Sequence, residues 1–125
     1  MRRLLLLSLL SISLHAAGQR RYAAYIDTPR GAVSGICMLA ADSVETHGVL
    51  FNEFGITALE FSWHRAKDKV RLHQLLPALD RWYIRRTLRR DLRQLLHRLQ
   101  QGDSTYVNQR RHITYTLTPL TPVSQ

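Results

Sequence analysis

The hydrophobic period of this chain changes once, near Pro77, and that change decides what it can fold into. Before Pro77, apolar side chains alternate with polar ones. Residues 56–64 show this most clearly: Thr57, Leu59, Phe61 and Trp63 share one face, and Ala58, Glu60, Ser62 and His64 the other. That is the pattern of a half-buried strand. Residues 20–27, 32–40, 46–51 and 70–74 read the same way. Their connections are short: Thr28-Pro29-Arg30-Gly31, Asp42-Ser43, Asn52-Glu53-Phe54-Gly55 and Lys67-Asp68-Lys69. Short connections favour an antiparallel meander, because parallel strands need long crossovers.

After Pro77 the apolar residues Leu79, Trp82, Tyr83, Leu88, Leu92, Leu95, Leu96 and Leu99 recur at spacings that fit a helix. The spacing predicts one amphipathic helix over 78–101 opened by Pro77, or a short helix followed by a longer one near Thr87. Gly102 is placed to cap it. Period two then returns over 104–108 and 112–118, where Ile113, Tyr115 and Leu117 alternate with threonines until Pro119. The expectation is an α+β fold. A curved antiparallel sheet of about six or seven strands buries one face under one or two amphipathic helices.

The first residues have a different character. Met1-Arg2-Arg3 is followed by an apolar run over 4–14 broken only by serines, then by His15-Ala16-Ala17-Gly18. This is the order of a secretory signal peptide cleaved after Gly18. The apolar run spans about 16 Å as a helix, against a hydrocarbon core of about 30 Å. The expected organisation is a signal peptide over 1–18, one α+β domain over 19–118 and a tail over 119–125, in a periplasmic or secreted protein. Cys37 lies too far along the chain to be a lipid-attachment residue. As the one cysteine of the sequence it allows no intrachain disulfide.

Charge is concentrated in the helical segment. The chain carries +9 formally, and loss of Arg2 and Arg3 with the leader leaves +7. Residues 81–98 hold Arg81, Arg85, Arg86, Arg89, Arg90, Arg93 and Arg98, with Asp91 as the sole acid. Arg81, Arg85, Arg89 and Arg93 recur every four residues, a stripe opposite the leucines that suits phosphate groups. The plainer alternative is a solvated face in a chain that prefers Arg to Lys. Tyr22, Phe51, Phe61, Trp63 and Tyr115 form the aromatic side of the expected sheet. They either shelter an acyl group, with Phe61 and Trp63 as ligand contacts, or pack the core against Trp82 and the leucines.

Chemistry of other kinds finds little support. Cys37 sits between Ile36 and Met38 in an apolar strand, where thiols are packing residues. Ser34-Gly35 lacks the G-x-S-x-G frame. No glycine-rich phosphate loop precedes a helix. The histidines have no metal-ligand spacing, and Glu60 and His64 stand about 13 Å apart along a strand. No catalytic residue, cofactor or metal is expected.

A family resemblance fits this outline. Residues 48–61 (GVLFNEFGITALEF) and 88–96 (LRRDLRQLL), within a meander, helix and returning strand, resemble the periplasmic lipoprotein carriers of the LolA/LolB type. The resemblance implies a cell-envelope protein with a hydrophobic cavity and no catalysis. Together these readings make the expected function non-catalytic binding of a lipid or other hydrophobic or anionic ligand. The expected partners are an anionic lipid or membrane surface, or another envelope protein, and no nucleic acid. The competing expectation is a small structural or protein–protein interaction module.

Overall fold

A computed structural model describes residues 19–120. The expected signal peptide and the end of the expected tail lie outside the described residues. Five strands form the meander: β1 (Gln19–Thr28), β2 (Gly31–Ala41), β3 (Glu45–Asn52), β4 (Thr57–His64) and β5 (Lys69–Leu75). A short 3-10 turn, Pro77–Leu79, leads into helix α1 (Trp82–Gln100), followed by β6 (Thr105–Asn108) and β7 (Ile113–Pro119). All seven strands lie in one antiparallel sheet of order β5-β4-β3-β2-β1-β7-β6. The predicted fold class holds, with one long helix.

Pro77 does not open that helix. It starts the 3-10 turn, and Arg81, in an extended conformation, is the residue from which α1 begins. At the other end Gly102 takes a left-handed φ of 85°. The Asp103 amide donates to the Arg98 carbonyl at 2.9 Å and the Gly102 amide to that of Leu99 at 3.0 Å. This double closure satisfies the last carbonyls of the helix.

The 19-residue helix, about 28 Å long at 1.5 Å per residue, lies between the two edge strands of the sheet and contacts both β5 and β6. Its start lies beside the β6–β7 turn, where Trp82 and Arg86 share a recess with Arg110 and Arg111. Further along, Asp91 meets Asn108 at the end of β6, Arg98 stands over the Tyr106 ring, and His97 reaches Asp68 between β4 and β5.

The helix buries Leu92, Leu95 and Leu96 against Tyr22, Cys37, Leu39, Leu59, Phe61, Trp63, Val70, Tyr115 and Leu117. These sheet residues are inward positions of their strands, as period two predicts, except that register shifts put Thr57 opposite Phe51 and bring Leu75 instead of Gln74 opposite Leu59. Phe51 departs from expectation. It pairs with Ile36, outside the core cluster and on the opposite face from Leu50. Leu50 is inward with Thr46 and Gly48 by simple alternation, and the register shift beside it leaves Ala58 of β4 unpaired with β3.

The concave face closes tightly around two details. Gly48 stands opposite Phe61 in the β3–β4 ladder, and the Phe61 ring lies over the place a Gly48 side chain would occupy. In the β4–β5 turn, Asp68 adopts a φ of 52° and clamps the turn to the helix. It accepts the Trp63 indole N–H at 2.9 Å and His97 Nε2 at 2.7 Å. The indole N–H first, then His97 and Arg93, hold the Asp68 carboxyl below the usual carboxylate range. Its contribution to stability is therefore present above pH about 4 and fades as acid protonates it.

Two substitutions test this packing. Gly48→Ala forces the Phe61 ring to move and is expected to cost about 1–3 kcal/mol in urea denaturation. Asp68→Ala leaves the indole N–H of Trp63 without its acceptor. The expected loss is about 1 kcal/mol at neutral pH, shrinking as the pH is lowered below the carboxylate range.

Candidate functional site

Helix α1 turns its leucines to the sheet, so its arginines point outward, but they do not form one stripe. Arg85 Nη1 lies 2.9 Å from Asp80, and Arg93 Nε lies 3.9 Å from Asp68. Two of the four arginines expected to act together, Arg85 and Arg93, are thus engaged by carboxylates. Arg81 and Arg89 are exposed. The expected aromatic contacts, Phe61 and Trp63, are each only 2% exposed in the core. The structure joins one pair from the expected set, since Trp63 and Arg93 both reach Asp68.

The interior offers little space for an acyl chain. The gap between sheet and helix is about 30 Å³, lined by apolar side chains including Leu59, Phe61 and Leu92. That is the scale of a single water molecule. Cys37 is buried there, and loss of hydration pushes its thiol up to about 12. At neutral pH it is a thiol in a packed wall and a poor nucleophile.

A second grouping of arginines was not legible as a site in the sequence. Trp82, Arg86 and Arg90 follow one another at intervals of four along α1, on the flank next to the β6–β7 turn. That turn supplies Arg110 and Arg111. With Tyr83, these side chains surround a surface recess of about 310 Å³. Trp82 and Tyr83 do not join the core as their spacing suggested: they are 73% and 45% exposed and meet edge to face at 5.8 Å. Among the described residues, no carboxylate lies within 4.0 Å of Arg86, Arg90, Arg110 or Arg111. The helix start adds to the positive field, since its first turn carries no acid and no side chain caps it.

The recess rests on the one acid of the helix. Asp91 is completely enclosed. Asn108 Nδ2 donates to both of its oxygens, at 3.0 and 3.1 Å, and the Tyr115 hydroxyl donates to Oδ2 at 2.5 Å. Asn108 Oδ1 in turn accepts the backbone N–H of Arg111 at 3.1 Å. Helix, strand end and turn are thereby tied in series, from Asp91 through Asn108 to Arg111. Loss of hydration raises the Asp91 carboxyl above its usual range, against the pull of Tyr115, Asn108, Arg90 and Arg111. The Tyr115 hydroxyl is pushed far up by burial and by the adjoining carboxylate, so it stays a donor. The sequence signal that could have led to this grouping is the solitary acid in a basic helix. Its partners could not be read from spacing, because they come from 17 and 24 residues further along.

No family model matches the chain, and no curated protein or solved structure is similar to it.

The Asp91 latch has a testable sign. A raised folded pKa means the cost of burying this charge is absent below about pH 4 and grows as the pH rises through the folded value. Tyr115→Phe removes a donor from the charged form. It is expected to destabilise the fold by about 1.5–3 kcal/mol at pH 7 and by clearly less at pH 4, measured by chemical denaturation.

Proposed function

We propose that this chain is an exported, non-catalytic envelope protein that docks on anionic lipid through the arginine-lined flank of α1 and the β6–β7 turn. The observation that carries this reading is the recess. Arg86, Arg90, Arg110 and Arg111 lie beside exposed Trp82 and Tyr83, and among the described residues no carboxylate lies within 4.0 Å of them. Guanidinium groups pair with lipid phosphates in a two-point geometry. An indole and a phenol beside them suit the boundary between headgroups and acyl chains. Export is the reading of residues 1–18, with their basic start, apolar run and small residues before the cleavage point.

The narrow interior supports docking at the surface over carriage of a lipid inside the sheet. It also moves the contact from the four-residue stripe to the recess. Arg81 and Arg89 then contribute to the general field, while the recess residues meet the headgroups.

A second reading, a protein–protein interaction module, draws on the uncovered face of the sheet. There Ala23 pairs with Ile36, Ile36 with Phe51, and Met38 with Val49. Tyr25 and Ile36 on this side are exposed. Ile36→Glu separates the readings: lipid docking survives it if the recess acts, whereas association with an envelope protein through this face is lost.

Vesicle flotation tests the docking. Each basic residue near an anionic surface contributes about 1 kcal/mol. Replacing Arg86, Arg90, Arg110 and Arg111 together by Gln is expected to weaken binding to anionic vesicles by up to about a thousandfold. Arg81→Gln with Arg89→Gln is expected to cost about tenfold at most, and zwitterionic vesicles are expected to bind neither protein. Equal loss from both sets of substitutions would remove the recess from the docking.

A further inference from the structure

We infer that the recess is a discrete site for one phosphate monoester, in which guanidinium groups hold the phosphate and Trp82 meets the group attached to it. This rests on the docking reading above and narrows it from a charged surface to a single headgroup chemistry.

The first argument is the donor set. Apart from Asn108, the polar side-chain groups of the lining residues are guanidiniums, an indole N–H and hydroxyls. Asn108, whose amide would supply an acceptor, is committed at both ends: its Nδ2 to Asp91 and its Oδ1 to the Arg111 backbone. Asp91 is enclosed behind it. The site therefore rejects cations and strong hydrogen-bond donors and selects a ligand that chiefly accepts. A phosphate oxyanion accepts at every exposed oxygen, and its planar pairs of oxygens match the guanidinium fork.

Charge argues for two negative units. Four arginines line the recess, and the one carboxylate facing them is Asp91, which draws on Arg90 and Arg111. A carboxylate ligand leaves most of that excess standing, whereas a phosphate monoester carries close to two charges at neutral pH.

Size and shape agree. A volume of about 310 Å³ corresponds to about ten waters at their liquid share of about 30 Å³ each. A phosphate fills a fraction of it, and the remainder runs along Trp82 and Tyr83, whose rings stand at 88° to each other and form an apolar corner.

The arginines also come from a fixed frame. Arg86 and Arg90 ride on a helix whose leucines pack on the sheet. The turn carrying Arg110 and Arg111 is held by the Asp91–Asn108–Arg111 series. Holding the donors before the ligand arrives reduces the ordering cost of binding.

Two sources of this chemistry exist, a lipid headgroup and a soluble phosphate ester, and the experiment separates them. Calorimetric titration of the protein with glycerol phosphate is expected to give saturable one-to-one binding. Arg90→Gln with Arg111→Gln is expected to weaken it at least tenfold, and Arg81→Gln with Arg89→Gln less than twofold. Trp82 fluorescence should change with the same midpoint, and Trp82→Phe should abolish that change while leaving the protein folded. Vesicles containing phosphatidic acid are then compared with phosphatidylglycerol vesicles of equal surface charge. A preference of tenfold or more for phosphatidic acid assigns the site to a lipid headgroup. Equal binding alongside saturable glycerol phosphate binding assigns it to a soluble ester. Non-saturable binding, or equal losses in the two double variants, would overturn the inference. Binding to anionic vesicles that depends on the four recess arginines would in that case still sustain the docking reading. Failure to bind any anionic vesicle removes the docking reading by itself.

Discussion

The structure depends on one helix that covers the concave face of the sheet. The meander ends with β5 at one margin, and the returning hairpin supplies β6 at the other. Helix α1 contacts both edge strands and lies over the core between them. The apolar core is organised by that cover. The inward residues of the strands meet the leucines of α1, and the residual gap is no larger than a water. Two polar clamps hold the helix on the sheet, one toward each margin. Asp68 joins the β4–β5 turn to His97 and Trp63, and Asp91 joins the helix to Asn108 and Tyr115.

The two clamps differ in physical character. Asp68 is partly exposed and takes its stabilisation from donors that favour its charged form, so acid weakens it. Asp91 is enclosed, and its charge is costly to hold there. A buried carboxylate is retained only where its partners leave no polar atom unsatisfied, and Asn108 and Tyr115 meet that need. The arrangement fixes the turn that carries Arg110 and Arg111. A core-like interaction thus positions surface charge, and fold and candidate site share one set of hydrogen bonds.

Much of the fold was legible in the sequence because it depends on period. The alternation of Leu59, Phe61 and Trp63 named the inward face of β4 correctly, though the register shift pairs Thr57 with outward Phe51, and the leucines from Leu92 to Leu96 named the buried side of α1. Gly102 announced the helix end. The misplacements have local causes. Trp82 and Tyr83 fit the helical spacing but sit in the first turn, where α1 projects beyond the packed leucines, so they remain exposed. Phe51 is next to the inward Leu50, so the alternation of β3 through Thr46, Gly48 and Leu50 puts it on the uncovered face with Ile36. The candidate site was only half legible. The basic helix stood out, yet Arg85 and Arg93 are drawn to Asp80 and Asp68. The arginines that complete the recess come from a hairpin whose position follows from topology, which no spacing within the helix reveals.

The central claim is that the recess arginines, and not the basic face as a whole, meet the anionic ligand. Side-chain Nε–Hε resonances of arginine report this directly, in the intact protein, during titration with nanodiscs containing anionic phospholipid. The account predicts that Arg86, Arg90, Arg110 and Arg111 shift first and saturate together, with slowed solvent exchange, while Arg81 and Arg89 move little. Shifts of equal size across all the exposed arginines, without saturation, would contradict it and leave only diffuse attraction between a basic protein and an acidic surface.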